Sequence, residues 1–270
     1  MYLAAAIQLT STSREDENLA SAAALIGRAA NAGASLVATP ENTNFLGPHV
    51  DKVARAEPIG GRVTTFFADL ARKHKLHVLL GGHNEKAPDT TRCYNTAVLF
   101  GPDGDVLGSY RKIHLFDVDV SADVRFKESD TCAPGGDPVV VKTALGVIGL
   151  SICYDLRFGE LYRKLVAMGA EVIAIPSAFT ATTGKDHWEP LIRARAIECQ
   201  SYVIAPGQSG LHDDNGLRNS HGHSMIVDPW GLVVARASDG PNLALAEIDL
   251  ERVRKVRQGI PMAQHRRLPG

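Results

Sequence analysis

The run VIGLSICYDLRFGEL, residues 147–161, changes character at a single residue. Residues 147–152 form a short apolar stretch of the length expected for a buried strand. The sequence YDLRF interrupts it, and residues 161–168 resume with helical spacing. Cys153 therefore stands where a buried strand gives way to a loop. Strand-like runs at 139–142 and 172–176 flank this unit, so strands and helices alternate through the middle of the chain.

The alternation extends in both directions. Residues 3–9 and 35–39 read as strands around a helix over 18–32, with Pro40 ending the second strand. A helix over 62–74 leads to strands over 77–81 and 94–100. GPDG at 101–104 predicts a hairpin turn whose second strand ends near Tyr110. Residues 113–136 read as irregular. A helix over 185–200 and strands over 203–205, 224–227, 231–235 and 243–248 complete the chain. No repeat, low-complexity tract or linker divides it, so one α/β domain over residues 1–270 is expected, layered with helices outside mixed sheets. Periodicity leaves the strand order open.

Hydrophobic residues make up 44% of the chain and charged residues 22%, an ordinary globular composition. The formal net charge is −1 with acids and bases intermixed. That argues against a basic face for nucleic acid and against a polybasic run for an anionic membrane. A small-molecule partner is expected instead. The opening MYLAAAIQL lacks the basic flank and length of a secretory signal and reads as a strand, which predicts a cytoplasmic protein. Cys93, Cys132, Cys153 and Cys199 are scattered without a CxxC pair, and reduced thiols are expected.

Two further polar residues share the placement of Cys153. Glu41 follows the strand LVATP, and Lys112 follows the strand ending at Tyr110. In α/β sheets such strand ends converge on the ligand crevice. A carboxylate that takes a thiol proton, a thiolate that attacks, and an ammonium that stabilises an oxyanion together suit acyl transfer. Taken singly, Cys153 is equally a small core residue, Glu41 a solvated loop acid, and Arg111 with Lys112 an exposed basic pair. GLSIC around Ser151 departs from a serine nucleophile elbow, because Cys153 replaces the final glycine. His221 and His223 in HGH have no third ligand spaced nearby, so no metal is expected.

Three local segments, ATPEN around Glu41, YRKIHLFDVDV around Lys112 and GLSICYDLRFGEL around Cys153, resemble the signature segments of the nitrilase superfamily of carbon-nitrogen hydrolases, in the same order. PSAFTATTGKDHWEPLIRARAIE (176–198), GHSMIVDPWG (222–231) and the closing HRR (265–267) resemble its Nit branch. The resemblance runs nearly end to end. It implies a four-layer αββα sandwich, homodimers paired through helices near the active site, and catalysis without metal or cofactor. Carried onto this chain, it makes Glu41 the general base and acid, Lys112 the oxyanion stabiliser and Cys153 the nucleophile that forms a thioester. The backbone N–H of Tyr154 would complete the oxyanion hole, and Glu128 in FKESD would stand beside the lysine.

The resemblance further implies an amidase acting on a small carboxylate-bearing 2-oxo acid. GQSGLHDDNG (207–216) and the HRR ending point to deaminated glutathione in preference to 2-oxoglutaramate, the substrate of the sister ω-amidases; the Nit-like segments favour amides over nitriles, with nitrile or carbamoyl hydrolysis as the weaker alternative. Intact Glu41, Lys112 and Cys153 argue against a scaffold that keeps only the fold. Arg157, four residues after Cys153, could clamp a substrate carboxylate through its planar fork or form a structural salt bridge. Phe179, Thr180 and His187 are the further substrate-binding residues expected.

Overall fold

The computed structural model describes residues 1–89, 91–121, 124–213 and 218–267. In chain order these form β1 (Tyr2–Leu9), α1 (Glu15–Asn31), β2 (Ala34–Ala38), α2 (Asp51–Ala54), α3 (Arg62–His74), β3 (His77–Lys86), β4 (Cys93–Phe100), β5 (Val106–Arg111), β6 (Asp117–Ser121) and β7 (Val124–Lys127). There follow β8 (Val139–Thr143), β9 (Gly146–Leu150), α4 (Gly159–Ala167), β10 (Val172–Ala174), α5 (Ala181–Cys199), β11 (Tyr202–Ala205), β12 (Gly207–Leu211) and β13 (Asn219–His221). Last come β14 (Met225–Val227), β15 (Val233–Arg236), β16 (Asn242–Ile248), α6 (Leu250–Gly259) and α7 (Met262–His265).

Two mixed sheets carry the fold. One runs β13-β12-β1-β2-β3-β4-β5, with β16 also paired to β1, and the other runs β15-β14-β11-β10-β9-β8. Side-chain alternation shows how they stack. Ala4, Ala6, Leu36, Ala38, Leu79, Ala97 and Leu99 join one apolar cluster with Ile148, Leu150, Ile204 and Ile226 of the opposite sheet. The intervening residues Ala5, Ile7, Leu9, Val37, Val78, Val98 and Phe100 face α1 and α3, against Leu19, Leu25, Ile26, Phe67 and Leu70. A period of two thus places alternate residues on opposite faces of one sheet, and both faces are covered. Leu161 and Leu165 of α4 with Trp188 and Ile192 of α5 cover the outer face of the second sheet. The layers are helix, sheet, sheet, helix, as expected from the resemblance.

The segment 113–136 is not wholly irregular. It holds the antiparallel pair β6–β7 and a 3-10 turn at Glu128–Asp130. Helix α5 begins four residues before the expected 185, because the Thr180 side chain accepts from the Thr183 N–H and caps it. Positions 214–216 of GQSGLHDDNG lie outside the described residues. Among those described, no helix is long and apolar enough to cross a membrane.

Candidate active site

Each of the three complementary residues follows the C-terminal end of a strand. Glu41 comes three residues after β2, Lys112 directly after β5, and Cys153 three residues after β9. β2 and β5 belong to one sheet and β9 to the other, so stacking the sheets brings the three ends together. Gly81 and Gly82 in β3 make room for the Glu41 loop: a Cβ on Gly81 would collide with the Thr39 carbonyl oxygen and with Pro176, and one on Gly82 would stand 2.8 Å from Asn95 Oδ1.

Lys112 Nζ donates to Glu41 Oε1 and to Glu128 Oε2, each at 2.8 Å. Asn95 Nδ2 donates to the same two carboxylates, at 2.9 Å to Glu41 Oε1 and 3.3 Å to Glu128 Oε1. Backbone N–H groups add to both: Ala178 to Glu41 Oε2 at 2.9 Å, and Phe116 to Glu128 Oε2 at 2.7 Å. Asn95 reaches this position because β4 and β5 are neighbours, and the Lys112 N–H donates to its carbonyl at 2.8 Å. All four side chains are buried.

Cys153 opens a 3-10 turn in a left-handed backbone conformation, φ +49°, with its N–H donating to the Pro176 carbonyl at 2.8 Å. The turn is held by Asp155, whose side chain is fully buried. Its Oδ2 accepts from the Ile152 N–H at 2.9 Å and the Tyr110 hydroxyl at 2.7 Å. Its Oδ1 accepts from the His114 N–H at 3.0 Å, with His114 Nδ1 2.7 Å away. One carboxylate therefore ties the turn bearing Cys153 to the loop that follows Lys112. Ser151 is fully buried, with its Oγ 3.0 Å from both the Tyr162 hydroxyl and the Ala174 carbonyl, a structural role.

Burial pushes the Cys153 thiol well above the ordinary cysteine value; Glu41 adds to the rise through its charge and a hydrogen bond, while Lys112 opposes it. Cys153 therefore rests as a protonated thiol beside Glu41. Burial also works against the charge on Lys112, but Glu128 and Glu41 outweigh it and hold the ammonium well above the usual lysine range. For Glu128, burial opposes ionisation, and Lys112 followed by Lys52 reverses the balance, keeping the carboxyl below its usual range.

These groups gather around one cavity. Glu41, Lys112, Glu128, Cys153, Tyr154, Arg157, Phe179 and Thr180 all reach it. His187, expected beside them, is not in its wall. It lies on α5 with Nδ1 3.3 Å from Arg157 Nη1, so it touches the guanidinium instead. Arg157 also lies over the Phe179 ring, 5.1 Å from its centroid, and among the described residues no acid pairs with it. The sequence reading missed Lys52, His49, Asn95, Phe116 and Phe126. Asn95 left a signal, an amide inside the mostly apolar CYNTAVLF strand, whereas Lys52 in HVDKVARAE resembles a solvated helix face. His221 and His223 have rings 4.8 Å apart. Among the described residues no group of three metal-ligating side chains is found.

The carbon-nitrogen hydrolase profile matches residues 3–258. The chain belongs to the carbon-nitrogen hydrolase family. This hydrolase is 47% identical over 268 residues to the deaminated glutathione amidase of Synechocystis sp., covering 98% of each chain. It is 45% identical over 271 residues to the deaminated glutathione amidase of Mus musculus, covering 98% of this chain and 83% of that one. The crystal structure of Saccharomyces cerevisiae Nit3, a member of branch 10 of the nitrilase superfamily, superposes with a TM-score of 0.88 at 33% identity, covering 99% of this chain and 97% of that one. The Caenorhabditis elegans NitFhit protein superposes with a TM-score of 0.90 at 40% identity, covering 98% of this hydrolase and 65% of that chain. The fold is that of the nitrilase superfamily.

Proposed function

We propose that this carbon-nitrogen hydrolase is an amidase of deaminated glutathione that works through a thioester on Cys153. The observation that carries the mechanism is the convergence of Cys153, Glu41 and Lys112 on one cavity, with Lys112 hydrogen-bonded to Glu41. The substrate is supported by the deaminated glutathione amidases that the chain matches over nearly its whole length.

Glu41 takes the thiol proton as Sγ adds to the amide carbonyl carbon. The oxyanion forms beside the Lys112 ammonium and the Tyr154 N–H. The C–N bond then breaks, Glu41 returns its proton to the departing amine, and the acyl group remains on sulfur. Glu41 next takes a proton from water, whose oxygen adds to the thioester; cleavage of the C–S bond releases the acid and restores the thiol. Glu128 and Asn95 position Lys112 and Glu41. Arg157, with the Phe179 ring against it, holds a substrate carboxylate.

One domain carries the activity, with one apolar cluster spanning both sheets. We also propose a cytoplasmic homodimer. The exposed side chains of Ile197, Trp230, Leu232 and Val234 supply apolar surface for pairing, and four free cysteines suit a reducing compartment. The deciding experiment compares kcat/KM on deaminated glutathione and on 2-oxoglutaramate. A large preference for 2-oxoglutaramate would move the assignment to the ω-amidases and leave the mechanism in place, and inactivity on both would overturn the amidase reading.

A further inference from the structure

Lys52 is a second buried lysine in the same cavity, only 2% exposed. Lys112, equally buried, has two carboxylates on its ammonium. Lys52 has no such partner: among the described residues no acceptor lies within hydrogen-bond or ion-pair distance of it. A lysine this buried with no hydrogen-bonded anion is costly even with Glu128 attracting its charge from further off, and such a group is retained in a folded protein when something else completes it. The Lys52 charge acts on His49, Glu128 and the Cys93–Cys132 pair, none of them within hydrogen-bond or ion-pair distance. Arg157 has different neighbours, Tyr154, Phe179 and His187, and is half-exposed.

Chemistry fixes which half of a substrate lies at which cation. In the thioester route the amine must leave toward solvent while the acyl group stays on sulfur, and only then can water enter. The leaving half therefore occupies the open side near Arg157, and the acyl half points inward. Resting on the amidase reading, we propose that Lys52 is a specificity-determining residue that receives the carboxylate of the 2-oxo-acid acyl half. A neutral acyl chain would leave the Lys52 ammonium without a hydrogen-bonded anion, so the site discriminates through the missing charge as well as through the pair formed.

The test uses two amides that differ only in that carboxylate, 2-oxoglutaramate and 4-oxopentanamide, and the corresponding acids, 2-oxoglutarate and 4-oxopentanoate. In the parent, kcat/KM should favour 2-oxoglutaramate. In Lys52→Met, which keeps the stem and removes the charge, that preference should fall by about 100-fold, in line with truncation of one partner of a buried charge pair, while the rate on 4-oxopentanamide is preserved or improved. Lys52→Gln should behave alike, and urea unfolding should show both variants folded. If both amides lose rate equally, Lys52 merely balances Glu128 and the proposal falls; an undiminished preference for 2-oxoglutaramate overturns it as well. Calorimetry of the two acids binding to the Cys153→Ala protein, with and without Lys52→Met, needs no turnover. It separates failure of this proposal, a preference for 2-oxoglutarate that survives Lys52→Met, from failure of the amidase reading.

Discussion

Replacing Asp155 by asparagine tests whether the turn under the nucleophile is held by one carboxylate. The four donors around it are not equivalent. The Tyr110 hydroxyl can rotate to become an acceptor, and the His114 ring can change tautomer, but the Ile152 and His114 N–H groups can only donate. Asparagine presents one oxygen and one NH2, so whichever way it turns, one backbone N–H faces another donor. A buried donor left without an acceptor costs ~1–3 kcal/mol. At about 2–4 °C per kcal/mol for a chain of this size, Asp155→Asn should lower the melting temperature by roughly 2–12 °C. Asp155→Ala, which orphans both N–H groups and opens a cavity, should cost more. Because the carboxylate joins the Cys153 turn to the loop after Lys112, kcat should fall as well, by about 100-fold if the two reacting groups separate by ~1 Å. Thermal unfolding and steady-state kinetics on the same preparations provide the readout. An Asp155→Asn protein with the parent's melting temperature and kcat would refute the reasoning.

Cys153→Ala should abolish hydrolysis while keeping the fold, and mass spectrometry of the parent with substrate should find an acyl adduct on Cys153; Glu41→Gln should lose about 100-fold or more in rate, because its amide cannot shuttle protons. Arg157→Ala should raise KM more than it lowers kcat, as expected when uniform binding is lost, and unchanged kinetics would dismiss it as a carboxylate clamp. Activity should survive exhaustive chelation, and loss that zinc specifically restores would contradict the all-side-chain mechanism. Light scattering should give twice the monomer mass, and a monomer would remove the dimer.

The elements read most readily from sequence were those with a strict period and both faces covered. β1, β2 and β4 pack alternately on the opposite sheet and on α1 and α3, and that two-sided burial is what makes their apolar runs continuous. Helix α6, LERVRKVRQG, left no such mark, because Val253 is its one buried residue and charges surround it. The β6–β7 pair is short and polar, and its alternation merges into the loops beside it. At the site, Glu41, Lys112 and Cys153 each follow a strand end, but singly each also reads as core or surface, and only the resemblance of the segments around them singled them out. Lys52 was not singled out. It is delivered by a helix of four residues, and nothing local distinguishes a lysine that turns inward from one that faces water.

At position 153, selection for durability and selection for activity pull apart. An L-residue at φ +49° costs roughly 1–2 kcal/mol, and a glycine there would recover it, offset only in part by about 0.5–1 kcal/mol of extra freedom in the unfolded chain. A library screened for heat tolerance alone would drift toward glycine or asparagine at this position and discard the proposed nucleophile while improving the score. Screening for turnover in alternate rounds keeps the cysteine, and with it a backbone that the rest of the fold must hold in place.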